Sequence, residues 1–302
     1  MTVPTTIKAH AKINLILQVA PPISDPSDPM LGFHPLCSWM HSIDLADELT
    51  ITPLKAGQSD ASTFDTQWAN GSKVDWPVVS DLIYKAHALL ESISNRSLPC
   101  AIQARKSIPA GGGLGGGSSD AAAVLMALNE LFELGFTEPQ LQTIAYQLGT
   151  DIPYFIDLES FKARLPARPA IVSGVGDQIT RTPRHRSPIT LLLPGFGCST
   201  AEVYKQLDAI GSSRQLDPDE LLRIASQSAI NPDDLTNDLK LPTINAQPAL
   251  GKLFTTLFEH QLQPRLSGSG STVFVIGELS NDVNETIQST LSGISAHPAS
   301  LA

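Results

Sequence analysis

IPAGGGLGGGSSDAAAVLMALNELFEL, residues 108–134, is the stretch on which the reading of this chain turns. Six of the seven residues from Gly111 to Gly117 are glycine, and a strongly apolar run follows almost at once. Glycine reaches backbone angles that other residues avoid, so successive N–H groups can converge on one anion. Ser118, Ser119 and Asp120 offer N-cap chemistry to the run AAAVLMALNELFEL, which reads as a helix over 119–134 stopped by Gly135. The positive end of that helix dipole then faces the same anion. Loop and helix together predict a phosphate site. Gly/Ser-rich stretches are more often flexible linkers, but Pro109 before the glycines and the helix after them pin this one at both ends. No lysine directly precedes Ser118, so the loop is not a Walker A loop. A G-x-G-x-x-G match runs from Gly111 to Gly116, as it does by accident in any stretch so rich in glycine, and Glu130 and Glu133 fall inside the same helix rather than after a second strand.

A chain of 302 residues allows one large or two ordinary domains, and 42% hydrophobic with 17% charged residues is a globular composition. The net charge of -10 argues against a protein that tracks nucleic-acid phosphates, while local basic residues remain able to hold a small phosphorylated ligand. Cys37, Cys100 and Cys198 are odd in number and far apart, which suggests neither a disulfide framework nor a zinc site and fits a cytoplasmic location. The apolar run INLILQVA is short and ends at Pro21 and Pro22, so it does not read as a secretory signal, and no stretch has the length of a membrane span.

Alternation and β-branched content predict a strand over 7–20, a loop in PPISDPSDPM, and a second long strand in LCSWMHSIDLADELTITPL. Residues 56–76 read as polar, irregular surface. Helices are expected over 78–92 and 138–148, and in the second half near 201–208, 217–227 and 250–259, with strands in SPITLLLP and PRLSGSGSTVFVIG. The basic, Pro-rich stretch around 160–190 marks a domain boundary, giving domains 1–165 and 166–302 and an α+β architecture.

Three separated motifs then ask for one explanation: AKIN at Ala11–Asn14, the glycine loop, and LGTDIPYF at Leu148–Phe155. Phosphoryl transfer needs a cradle for the polyphosphate, positive charge on the moving group, and a group that takes or orients the acceptor hydroxyl's proton. These motifs can supply all three.

With AKINL, GFHPL, IPAGGGLGGGSSDAA, LGTDIPYF, TNDL and LSGSGSTVF in that order, the chain resembles the GHMP kinases over residues 8 to 277. Within them it is similar to the branch that phosphorylates the 2-hydroxyl of 4-diphosphocytidyl-2-C-methyl-D-erythritol, in the non-mevalonate route to isoprenoid precursors. The resemblance implies a two-domain fold, with an N-terminal ribosomal-S5-like α/β domain, a C-terminal ferredoxin-like α+β domain and the active site in the cleft between them. It implies ATP and Mg²⁺ as cofactors. Lys12 and Asp151 match the catalytic pair; an ammonium beside a carboxylate keeps the latter ionised and able to accept the hydroxyl proton. Lys106 matches a position near the adenine. Pro109, Gly111, Gly112, Gly113, Leu114, Gly115, Gly116, Gly117, Ser118 and Ser119 match the ATP-binding loop, Ser118 or Ser119 being the hydroxyl ligand of the metal. Asn14 matches a contact to the methylerythritol, the pair Phe33 and His34 the readers of cytosine, and Tyr204 an aromatic stacked on the base's other face. The implied partner is the small-molecule substrate, with no nucleic acid and no membrane, the protein being a monomer or homodimer. Three departures stand out: the insert PPISDPSDPM in place of a short basic turn, Asp81 where an Asn is common, and an altered start to Ala170–Asp177. Another GHMP kinase, acting on homoserine, mevalonate or a sugar, shares the loop but has no need of GFHP and Tyr204. A non-catalytic nucleotide-binding relative typically lacks Lys12 or Asp151.

Overall fold

The computed structural model describes residues 3–54, 61–290 and 293–302. In chain order the elements are β1 (Thr5–Val19), β2 (Leu36–Pro53), β3 (Thr63–Trp68), α1 (Leu82–Ser94), β4 (Cys100–Lys106), α2 (Gly116–Leu131), α3 (Glu138–Tyr146), α4 (Ile152–Phe155) and α5 (Leu158–Lys162). There follow β5 (Ala170–Gly174), β6 (Gln178–Arg181), β7 (Pro188–Pro194), α6 (Thr200–Ile210), α7 (Pro218–Ala225), α8 (Lys240–Ala246), α9 (Pro248–Glu259), β8 (Arg265–Leu266), β9 (Val273–Ile276), α10 (Asn281–Thr290) and β10 (Ile294–Ser300). The fold is α+β.

The chain divides into two compact units that share its strands. The first comprises the residues up to Ala11 with Leu45–Ile108 and Gly115–Ala167; the second comprises Lys12–Asp44, Pro109–Leu114 and Arg168–Ala302. In the first, β4 runs antiparallel to the far end of β2, with Glu48 opposite Arg105, and parallel to β3, with Thr63 opposite Ala101. Helices α1 and α2 pack on each other. Every residue of α2 from Ser119 to Leu128 is buried, as the unbroken apolar run from Ala121 to Leu128 requires, and its alanines let neighbours approach closely. In the second unit the near end of β2 pairs with β5, with Leu36 opposite Gly174, and β5 pairs with β6. A separate antiparallel sheet has the order β10-β7-β9-β8. Its core gathers Leu192, Val203, Leu207, Leu253, Phe254 and Val273, together with Leu17 and Val19 from β1. Residues Ala11–Val19 of β1 are all buried, so the strand has two covered faces and its hydrophobic alternation disappears.

The structure departs from the sequence-based reading at several element ends. Residues 56–60 of the expected irregular stretch lie outside the described residues, and Thr63–Trp68 is a strand rather than irregular chain. It is an outer strand with a polar row, Thr63, Asp65 and Gln67, which weakens any apolar signal. Helix α1 begins at Leu82 because Asp81 is its N-cap, accepting the Ile83 N–H at 3.0 Å, and Val78–Ser80 forms a separate 3₁₀ turn. Helix α2 begins earlier than expected, at Gly116, and Ser118, Ser119 and Asp120 do not cap it. Gly115, left-handed at φ +70°, performs that turn without a side chain. The sequence reading contains neither the strands β4, β5, β6 and β10 nor the helices α4, α5, α8 and α10; the polar sequence ISAHPAS carries no strand pattern. No helix among the described residues is long and apolar enough to cross a membrane.

Candidate active site

The glycine loop has an asymmetric wiring. The carbonyls of Gly111, Gly112, Gly113 and Leu114 accept from Cys198 N–H (3.2 Å), Thr272 N–H (3.1 Å), Ser267 Oγ–H (2.9 Å) and Lys12 N–H (2.9 Å). Among the described residues, no backbone N–H from Gly111 to Ser118 donates to a protein acceptor. The peptide oxygens are therefore consumed by the protein and the N–H groups are left for a ligand, the arrangement an anion needs. Glycine is required sterically as well. A Cβ at Gly113 would lie 2.2 Å from the Ser267 carbonyl, one at Gly112 2.9 Å from Thr272 Oγ1, and one at Gly116 2.8 Å from Ile108 Cγ2.

Lys12 and Asn14, alternate residues on one face of β1, are both buried in the second unit. The ammonium donates to Asn14 Oδ1 (2.7 Å), the Asn14 amide to Ser38 Oγ (2.8 Å), and Ser38 to the Ile16 carbonyl (2.8 Å). A Cβ at Gly268 would come within 3.2 Å of Asn14 Oδ1 and 3.4 Å of Lys12 Nζ, so the second glycine-rich loop runs alongside this pair. Lys12, Asn14, Gly113 and Gly268 are thus brought together.

Lys106 lies in the first unit with its side chain fully engaged. Its ammonium pairs with Asp47 and with Asp120, and all three residues are buried. Asp47 also accepts the Ile108 N–H at 2.9 Å and the Ser107 N–H. Burial works against the Lys106 charge, but the two carboxylates outweigh it and hold its pKa above the ordinary lysine value. Asp120 is pushed up to about 8, chiefly by burial, which Lys106 opposes and the second carboxylate, Asp47, reinforces. Its Oδ1 is buried with no hydrogen-bond partner. Two acids on one base leave a surplus negative charge, and a proton on Asp120 removes it.

Phe33, His34 and Tyr204 belong to the second unit. The insert before them folds back on itself: Ala20 N–H reaches the Pro35 carbonyl and Ile23 N–H the Phe33 carbonyl, each at 2.9 Å. Asp25 and Asp28 brace its turns by accepting from Ser27 and Met30. His34 Nδ1 lies 2.9 Å from the Ala20 carbonyl, Nε2 lies 3.2 Å from the Asp208 carboxylate, and the ring centroid is 5.1 Å from that of Tyr204. Both ring nitrogens are therefore occupied, whereas the main-chain N–H and C=O of His34 have no protein partner among the described residues. Phe33 is half-exposed.

Asp151 stands at the start of α4 in the first unit, partly buried, without capping that helix. Asp81 is taken up by its own unit, accepting from Thr66 (3.1 Å) and Trp76 Nε1 (3.1 Å) besides capping α1. Ser118 and Ser119 lie in the first turn of α2. The three cysteines are unpaired and buried; burial pushes Cys37 up to about 12 and Cys100 up to about 11, which removes them as nucleophiles. No group of three or more acidic, His or Cys side chains suited to a metal occurs among the described residues.

A family model for the GHMP kinases N terminal domain matches residues 81–156. Across 275 residues the chain is 36% identical to the 4-diphosphocytidyl-2-C-methyl-D-erythritol kinase of Citrifermentans bemidjiense, covering 89% of this chain and 88% of that one. The chain belongs to the GHMP kinases, in the family of these diphosphocytidyl-methylerythritol kinases. The corresponding enzyme of Colwellia psychrerythraea is 33% identical, over 87% of this chain and 79% of its own length. A crystal structure of 4-(cytidine 5'-diphospho)-2C-methyl-D-erythritol kinase superposes with TM-score 0.73 at 27% identity, covering 99% of both chains. Homoserine kinase from Cytophaga hutchinsonii, at 12% identity and TM-score 0.58 over 100% of this chain and 95% of its own, shares the GHMP kinase fold.

Three side chains of this GHMP kinase escaped the sequence reading: Asp47, Asp208 and Ser38. Each acts by fixing a residue that a motif does announce. A single acid or hydroxyl inside a strand or helix carries no spacing signature, so only coordinates reveal it.

Proposed function

We propose that the chain catalyses the ATP-dependent phosphorylation of the 2-hydroxyl of 4-diphosphocytidyl-2-C-methyl-D-erythritol. The observation that carries this reading is the wiring of Gly111–Ser118, whose carbonyls are spent on the protein and whose N–H groups are not. Those donors, with the N-terminal end of α2, hold the ATP phosphates. Ser118 and Ser119 would hold Mg²⁺ on the phosphates, where it neutralises charge on the transferring group. Asp151 accepts or orients the proton of the attacking hydroxyl, and the Lys12 ammonium, aimed by Asn14, steadies the developing negative charge. Cytosine presents a donor–acceptor edge, which the His34 main-chain N–H and C=O complement, with Phe33 and Tyr204 supplying aromatic faces. Asn14 meets the methylerythritol.

Incubation of the full chain with ATP and Mg²⁺ beside the cytidyl acceptor, homoserine or mevalonate, following ADP release, tests the reading. Turnover is expected with the cytidyl acceptor alone. ADP release with homoserine or mevalonate replaces the acceptor assignment, and none with any acceptor makes the protein a non-catalytic nucleotide binder. Asp151→Asn is expected to lower kcat by roughly 10³-fold or more while nucleotide affinity stays within about threefold; near-full turnover removes Asp151 from its role.

A further inference from the structure

The carbonyls in the middle of the glycine loop are held by hydrogen bonds from the surrounding protein, and its two ends need anchors of their own. Both ends are tied by one buried ionic cluster. On the entry side, Asp47 from β2 takes the N–H groups of Ser107 and Ile108. On the exit side, Asp120 sits within the first turns of α2. Lys106 pairs with both carboxylates and so joins the two.

We propose that Asp47, acting through Lys106 and Asp120, is a positioning residue for nucleotide binding: the cluster clamps the two ends of the glycine loop so that its N–H groups point at phosphate. Lys106 then serves the nucleotide by fixing the loop and not by offering its ammonium, which is already held between two carboxylates. The inference deepens the kinase reading and rests on it.

Equilibrium ADP binding to the full chain is the readout, because it needs no acceptor. Asp47→Ala, which removes the acceptor for two N–H groups and the partner of Lys106, is expected to raise the ADP Kd about tenfold or more. Asp47→Asn keeps an acceptor of the same shape without the charge, and a rise of about two- to fivefold is expected. In turnover, KM for ATP should rise more than kcat falls, with KM for the acceptor unchanged. Unaltered ADP affinity in both Asp47 variants, or an equal loss for ATP and acceptor, overturns the clamp. A wild-type chain that binds no ADP overturns the kinase reading itself, and the clamp with it.

Discussion

Two loops containing glycine, Gly111–Gly117 and Ser267–Ser271, both spend carbonyls on the protein and differ in what braces them. The first spends its carbonyls on the surrounding protein and leaves its N–H groups open. The second is closed on itself and braced: Gly270 N–H reaches the Ser267 carbonyl at 2.9 Å, Asn237 Nδ2 donates to the Leu266 and Gly268 carbonyls at 2.9 Å each, and Thr243 Oγ1 donates to the Ser269 carbonyl at 3.2 Å. Ser267 then turns its hydroxyl to the Gly113 carbonyl. One loop is a donor surface and the other is the wall that holds it open. Glycine content permits either role, and the hydrogen-bond partners decide which is taken.

The sharpest way to break this contrast is Gly113→Ala. A Cβ there meets the Ser267 carbonyl at 2.2 Å on a residue at φ +76°, so one loop must be pushed off the other. Steady-state kinetics should show kcat/KM for ATP reduced by about 100-fold or more, roughly 3 kcal/mol; a tolerated alanine means the loops do not support each other. Gly268→Ala, at φ +57° and within contact of Asn14 and Lys12, should act on chemistry instead. The expected result is kcat down about tenfold with ADP affinity, measured by titration, within about twofold of wild type. Equal losses in both quantities would erase the distinction between donor surface and wall. Asn237→Ala removes two braces from the second loop and should cost about 1–2 kcal/mol in urea unfolding while sparing ADP binding. The smallest effect is expected outside both loops. Asp208→Ala frees the His34 ring at Nε2, and KM for the cytidyl acceptor should rise about threefold with no change for ATP.

The parts of this fold legible from sequence are those in which one physical demand dominates the residue choice. Helix α2 is apolar without a break from Ala121 to Leu128 because it is buried there on every side, and Ala11–Val19 lacks alternation for the same reason. The start of α2 was misplaced because Gly115 makes the turn through its backbone, while the neighbouring Ser118, Ser119 and Asp120 look like caps; Asp120 turns instead to Lys106. Strands β3, β4, β5, β6 and β10 are absent from the sequence reading: β3 and β10 carry polar rows, and β4, β5 and β6 are short runs. In the candidate site the motifs named Lys12, Asn14, His34 and the glycines. They could not name the supporting groups Asp47, Ser38 and Asp208, whose positions in the chain follow from sheet pairing and helix packing and from no local pattern.

The second unit draws β1 residues into its core, and the Val19 N–H donates to Asp238, 219 residues further on. The Leu17 and Val19 end of β1 therefore gains its full set of core neighbours only once residues beyond 230 have been synthesised. Closure over that separation carries a loop-entropy cost that grows with the length of the intervening chain. No single proteolytic cut can release the two units as separate fragments, because each is assembled from three separate segments of the chain. A fragment beginning at Arg168 would lack Leu17 and Val19 from its core, so modular transplantation of this half requires grafting the early strands with it.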